Sequence, residues 1–365
     1  MLIIGATGYG KSTLMKNMVY ADMQNGKGVA LIDPHSELAT ELIAHIPKSR
    51  LSDVIYFNPA NLKNRVYFNP LHNVPAHQHH IVASGLISTF KRIWSDSWGV
   101  RMEYILRYTL LTLLSYPVAT LLDIHSLLTK PEFRKHVLGY VSESHIIDFW
   151  ELEFEKYSPK FRNEVIAPIL NKLGLFKASK PLQCVLGHTE NGLDLREIMD
   201  NRKILICNLS KGELGSETTA ILGGILLTGL QNAALRRSTL PANRRVPFSV
   251  YADEIQVYVN GTIVEMLSEC RKFKLSLIMA HQYIEQLDEP IRKAVFGNVG
   301  TVISFKVGAT DAEYLAKEFY PTFTENDFIH LPRYHMYLKL MIDGSTSNPF
   351  SAISLTPFLK TIHHV

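Results

Sequence analysis

One short run near the start of the chain constrains its fold more than any other. Gly5-Ala6-Thr7-Gly8-Tyr9-Gly10-Lys11-Ser12 follows the apolar Leu2-Ile3-Ile4 directly and fits the pattern G-x-x-x-x-G-K-[ST] in full. Such a run works only between a strand and a helix. Its glycines let the backbone wrap a polyanion, its successive N–H groups point inward, and the helix that follows offers its positive end. The chain is therefore expected to be an α/β protein that holds a nucleotide triphosphate at its first turn. Lys11 would reach the outer phosphates and Ser12 would hold Mg²⁺.

With 365 residues, 46% of them hydrophobic, the chain can bury one large core or two modest ones. Cys184, Cys207 and Cys270 are far apart and form no C-x-x-C pair, which argues against a disulfide framework or a zinc knuckle and for a reducing setting. His77, His79 and His80 have no acidic or cysteine partner at ligand spacing, so they read as a solvated helix start rather than a metal site. A net charge of +4 permits a polyanionic partner without demanding one. The longest apolar stretch, 220–235, is interrupted by Gly223, Gly224, Thr228, Gly229 and Gln231 and falls short of the roughly 20 residues that cross a bilayer, so no membrane span is expected. No signal peptide is evident, because Met1 leads straight into the first strand. A core strand beginning at residue 1 is also what a piece of a longer chain would show, with any upstream anchor outside it.

Buried-type strands at 1–4, 28–33 and 53–57 alternate with helical stretches such as 11–24, which argues for a parallel sheet covered on both faces. From about 75 to 177 the pattern changes to helical spacing, as in Val100, Tyr104, Ile105, Tyr108, Leu111 and in Val165, Ile166, Ile169, Leu170, Leu173. Strand signals return at 203–207, 248–252, 275–280, 301–307, 335–342 and 350–355. The expected organisation is a nucleotide-binding domain in two parts, 1–74 and 178–365, interrupted by an all-α domain at 75–177. Thr310 with Glu313 reads as a capping box, and Pro332 as the stop of a short helix begun near Thr324. The arginine-rich run 236–247 reads as a solvated loop, with phosphate contact as the other option.

A phosphate loop that hydrolyses needs one carboxylate to orient the metal and another to align water. Asp253 and Glu254, at the end of the β-rich Phe248-Ser249-Val250-Tyr251-Ala252, supply both: Asp253 for the metal, Glu254 for the water. The next strand ends in Met279-Ala280-His281-Gln282, which places Gln282 to sense the terminal phosphate, a helix-cap role being the alternative. Arg271 falls outside the apolar stripe Ile263, Met266, Leu267, Cys270. It reads either as a finger entering a neighbouring subunit's site, beside the catalytic edge, or as a surface pair with Glu265 or Glu269.

Taken together, residues 5–13, Asp33-Pro34-His35, Phe68-Asn69-Pro70-Leu71, 250–256, 267–282 and Phe296-Gly297-Asn298-Val299-Gly300 resemble the conjugative coupling ATPases of the TraG/TraD type, within the HerA/FtsK group of ring-forming motors. The most specific part is Ser268-Glu269-Cys270-Arg271-Lys272 running into Ala280-His281-Gln282, because family members carry an arginine at this distance before the sensor glutamine. The resemblance implies a RecA-like P-loop NTPase fold with a mainly parallel sheet and an inserted all-α domain. It implies ATP and Mg²⁺ as cofactors, with Gly5, Ala6, Thr7, Gly8, Tyr9, Gly10, Lys11, Ser12 and Thr13 on the nucleotide, and Glu254, Lys11, Gln282 and the trans-acting Arg271 in catalysis. It further implies a DNA translocase in a homo-hexamer, single-stranded DNA passing through the channel in a conjugative setting, relaxase or secretion-channel partners, and a place in the bacterial cytoplasm or at the inner membrane. The other readings are a HerA-like helicase of repair or defence and an ATP-binding switch with little turnover. The chain departs from many relatives in having Ser36, where they have glycine, after His35.

Overall fold

A computed structural model describes residues 1–63, 66–259 and 261–356. Its main sheet has nine strands: β1 (Leu2–Ile4), β2 (Gly28–Asp33), β3 (Val54–Phe57), β4 (Ile204–Asn208), β5 (Phe248–Ala252), β6 (Leu275–His281), β7 (Val302–Ser304), β8 (His335–Lys339) and, after the small ribbon β9 (Met341–Ile342) with β10 (Ser345–Thr346), the edge strand β11 (Phe350–Ile353). The order across the sheet is β11-β8-β7-β1-β6-β5-β2-β4-β3. Every pair from β7 to β3 is parallel, and only β8 is reversed, antiparallel to both of its neighbours, β7 and β11. The fold is thus the α/β, mainly parallel arrangement that the strand–helix alternation predicts. The continuous apolar character of β1, β2 and β4 follows from burial on both faces.

Two helices cover one face of this sheet, α1 (Lys11–Gln24) and α2 (Glu37–Ala44). Met15, Val19 and Met23 of α1 and Leu38 and Leu42 of α2 pack on Ile3, Val29, Leu31, Ile204 and Ile303, all buried. Burial of each such side chain contributes about 1.5–3 kcal/mol, which fixes the strands and hence the loops at their ends.

Packing groups the chain into two compact units, one made of Met1–Phe57, Arg196–Ser210 and Ala233–Val365, the other of Asn58–Leu195 and Lys211–Asn232. The second contains the helices His79–Ile93, Val100–Leu114, Asp123–Thr129, Pro131–Leu138, Pro159–Ala178 and Lys180–Leu186, and is drawn wider than 75–177. It takes in most of the helix Ser216–Leu235, for a steric reason: a Cβ on Gly85 would stand 2.4 Å from Thr228 Cγ2, and one on Gly224 would stand 2.5 Å from Thr89 Cγ2. The helical run Ser216–Thr239 is 24 residues, longer than its interruptions predict and, by length and composition only, long enough to cross a membrane. With 78% of its most apolar stretch buried, its apolarity is that of a core helix.

Three local expectations change. The run 236–247 is largely exposed, as a solvated loop would be, except at Arg237, which is fully buried in the 3₁₀ turn Arg236–Thr239. The Arg237 guanidinium donates to Asp200 Oδ1 at 2.8 Å and to the carbonyls of Val246 and Phe273 at 3.0 and 3.1 Å, so its planar fork binds backbone rather than water. Thr310 is not a helix cap: the helix Ala309–Glu318 begins before it, after the extended Gly308. The capping box lies instead at Thr324, whose hydroxyl and amide both bond to Asp327 Oδ2. The strand expected at 335–342 is broken into β8 and β9.

Candidate active site

β1 ends at Ile4, between His281 of β6 and Ser304 of β7, so the glycine-rich turn leaves the sheet at its carboxyl edge. Gly10 sits at φ 122, and a Cβ there would meet the Phe305 and Tyr334 rings at 3.0 Å each. Gly8, at φ 82, has nothing within 4 Å of where its Cβ would stand, so the loop backbone is open there. α1 follows at Lys11 and directs its free N–H groups into the turn. The buried Lys11 Nζ donates to Gly5 O at 2.7 Å and Ala6 O at 3.3 Å. Burial holds its pKa below the ordinary lysine value, and the charges of Glu254 and Asp253 partly offset that.

The acidic pair arrives from β5, whose last residue, Ala252, is paired with Ile32 and Met279. Asp253 N donates to Ile32 O at 3.1 Å, which continues the ladder one residue past the strand. The next residue, Glu254, turns at φ 45, a left-handed conformation rare for a residue with a side chain, and so faces a different way from its neighbour. Glu254 Oε1 accepts from Gln282 Nε2 at 2.9 Å, and Oε2 accepts from Gln256 Nε2. Asp253 is pushed up to about 7, first by burial and then by the carboxylates of Glu254 and Asp33. Asp33 is itself buried and raised by burial, while its two oxygens accept from the N–H groups of His35 and Ala39, each at 2.8 Å, and so anchor the start of α2. Ser36 stands between them at φ 71, the conformation for which glycine is better suited. His281 is buried and pushed down to about 4 by that burial, with Nδ1 3.0 Å from Tyr283 O.

Thr7, Gly8, Gly10, Lys11, Ser12, Thr13, Asp253, Glu254 and Gln282 line one cleft of about 510 Å³. Gly5, Ala6 and Tyr9 support it from behind: the first two hold the Lys11 amine, and Tyr9 O accepts from Tyr334 N at 3.0 Å. Arg271 is not in the cleft. It is exposed, in the 3₁₀ turn Cys270–Phe273 just before β6 begins, and so stands at the opposite edge of the sheet rather than beside the catalytic one. Among the described residues no ion pair or side-chain hydrogen bond holds it, and Glu269 pairs with Lys272 instead. Sequence reasoning missed Arg333 and Tyr334, which line the cleft from the segment entering β8. Two residues in a loop carry no periodicity by which to find them.

The donor set fits a magnesium nucleotide. An open glycine backbone at a helix N-terminus and a buried ammonium suit phosphates. Ser12 and Asp253, which line the same cleft, the latter a buried carboxyl crowded by two others, suit a divalent cation.

The chain matches the family model described as "Helicase HerA, central domain" over residues 1–227. No curated protein sequence matches it. Among solved structures it is similar to the plasmid coupling protein TrwB in complex with ADP and Mg²⁺, at a TM-score of 0.72 and 14% identity, covering 97% of this chain and 85% of that one. The unbound bacterial conjugative coupling protein TrwBdeltaN70 gives 0.70, at 14% identity with 97% and 84% covered. VirB4 of Thermoanaerobacter pseudethanolicus gives 0.64 at 15% identity, with 98% and 90% covered. These likenesses extend the RecA-like P-loop fold over nearly the whole chain. The chain belongs to the family of the HerA helicase central domain.

Proposed function

We propose that the chain is an ATP-hydrolysing DNA translocase that works as a homo-hexameric ring in conjugative transfer or type IV secretion. The single observation that carries this reading is the convergence of Lys11 and Ser12 with Asp253, Glu254 and Gln282 on one cleft at the carboxyl edge of a common sheet. The backbone of residues 5–13 and the Lys11 ammonium bind and orient the triphosphate. Ser12 and Asp253 hold Mg²⁺, which offsets the charge of the outer phosphates when bound. Glu254 accepts the proton of the attacking water, and its bond to Gln282 ties that carboxylate to the end of β6. Gln282 senses the terminal phosphate through the same amide. Arg271 completes a neighbour's site. The plasmid coupling protein TrwB, solved in complex with ADP and Mg²⁺, and VirB4 support the conjugative setting by their fold. The family match over 1–227 favours a second reading, a HerA-like helicase acting on duplex DNA.

Two variants test the assignment. Glu254→Gln should keep ATP bound while hydrolysis falls by about 10²–10⁴-fold, and Lys11→Ala should lose binding. Hydrolysis by Glu254→Gln at the parent rate would remove Glu254 as the base. Stimulation of turnover by single-stranded DNA supports the conjugative reading, whereas stimulation by duplex alone supports the helicase.

A further inference from the structure

The cleft has a second wall that the proposed hydrolysis does not use. β8 runs antiparallel to β7, with Tyr337 opposite Ser304, so the segment entering β8 reaches the same carboxyl edge as the phosphate loop. It arrives on the β7 side of β1, whereas Asp253, Glu254 and Gln282 arrive on the β6 and β5 side. Three contacts fix it to the loop. Arg333 Nε donates to Gly8 O at 2.7 Å, Tyr334 N donates to Tyr9 O at 3.0 Å, and the Tyr334 ring packs where a Cβ on Gly10 would stand. Tyr334 holds a left-handed backbone at φ 67, unfavourable for a bulky side chain, and the bond from Ser354 N to Tyr334 O at 2.8 Å helps to hold it there. The Arg333 guanidinium lies over the Tyr334 ring, 5.0 Å from its centroid, within reach of a cation–π contact, and both side chains line the cleft.

We infer that Arg333 and Tyr334 form the nucleoside subsite, a stacking platform for the purine base of the nucleotide whose phosphates the loop holds. The inference rests on the phosphate-binding reading above. A nucleotide gripped by the backbone of residues 8–12, with its terminal phosphate toward Glu254, sends its ribose and base the other way, and that way lie Arg333 and Tyr334. Stacking on an aromatic ring discriminates little between bases, because every base offers a π face. Adenine and guanine nucleotides should both be accepted, and inorganic polyphosphate, which has no base, should gain nothing from the Tyr334 ring.

The experiment compares the full chain and its variants for binding of ADP, GDP and inorganic tripolyphosphate, each with Mg²⁺, by calorimetry. Tyr334→Ala should weaken ADP and GDP by about tenfold while leaving tripolyphosphate within about twofold, and Tyr334→Phe should bind like the parent. Arg333→Ala should show the same selective loss in smaller measure. If Tyr334→Ala leaves the ratio of ADP to tripolyphosphate affinity unchanged, the subsite is overturned. If it loses both ligands equally, Tyr334 is a prop for the loop and the base contact is likewise overturned. A parent chain that binds neither ADP nor tripolyphosphate overturns the phosphate-binding reading itself, an outcome distinct from the other two.

Discussion

At the scale of single residues, the site keeps charge where the folded chain on its own would prefer none. Asp253 is buried beside Glu254 and Asp33, and its pKa rises from 3.8 to about 7. Below pH 3.8 the side chain is protonated in both the folded and the unfolded chain. As pH rises towards 7 the unfolded chain releases its proton while the folded chain keeps it, so folding loses stability, and above 7 the loss is complete. At about 1.4 kcal/mol per pKa unit the loss is at most about 4 kcal/mol. Asp253→Asn should therefore raise the melting temperature of the metal-free protein above that of the parent, by a margin that grows from about pH 5 to 8, while abolishing Mg²⁺-dependent turnover. Thermal unfolding across that range in chelator checks it. A margin independent of pH would show that Asp253 is ionised throughout. The strained backbone of Glu254 and the buried, neutral His281 belong to the same pattern, in which local rules are broken where the chemistry sits.

At the scale of elements, the sequence is most legible where one side-chain period dominates. The strands of the parallel sheet were recoverable because double-faced burial leaves unbroken apolar runs, and the phosphate loop because its glycines answer to backbone geometry alone. Asp253, Glu254 and Gln282 were legible only as the tips of such strands, since their convergence depends on the order β1-β6-β5. Arg237 was misread because a run of arginines looks solvated until the carbonyls of Val246 and Phe273 are brought to it by the fold. Gly85 and Gly224 belong to the same class, since their need for close approach comes from helices far apart in sequence. Helix propensity alone predicts that Gly85→Ala stabilises by about 0.5–1 kcal/mol. The contact with Thr228 reverses the sign: we expect Gly85→Ala to destabilise by about 1–3 kcal/mol in denaturant unfolding, with Thr228→Ala in the same chain recovering much of it. Additive effects of the two substitutions would show that the helices separate to make room.

At the scale of the whole molecule, the position of Arg271 decides how the proposed site can be completed. Arg271 precedes the first residue of β6 and Gln282 follows its last, so seven residues of extended chain, roughly 20 Å, lie between them. An arginine on that edge cannot reach its own phosphate loop, and any part it takes in phosphoryl transfer is in a neighbouring copy. The turn that carries it is held firmly: Arg237 bonds to Phe273 O, and Arg245 bonds to Lys272 O at 2.9 Å, while the Arg271 side chain stays exposed. A rigid mount with an outward guanidinium suits a finger better than a surface pair does. Arg271→Ala should then lower turnover by about 10³–10⁵-fold without loss of ATP binding. Mixed with inactive Lys11→Ala subunits, it should regain activity, because an interface that takes its lysine from one variant and its arginine from the other is whole. Random mixing in a head-to-tail ring makes about one interface in four whole, so recovery towards that fraction of the parent rate is the expected result. Mixed assemblies that exchange subunits, as followed by mass, yet stay inactive would leave Arg271 without a role in trans.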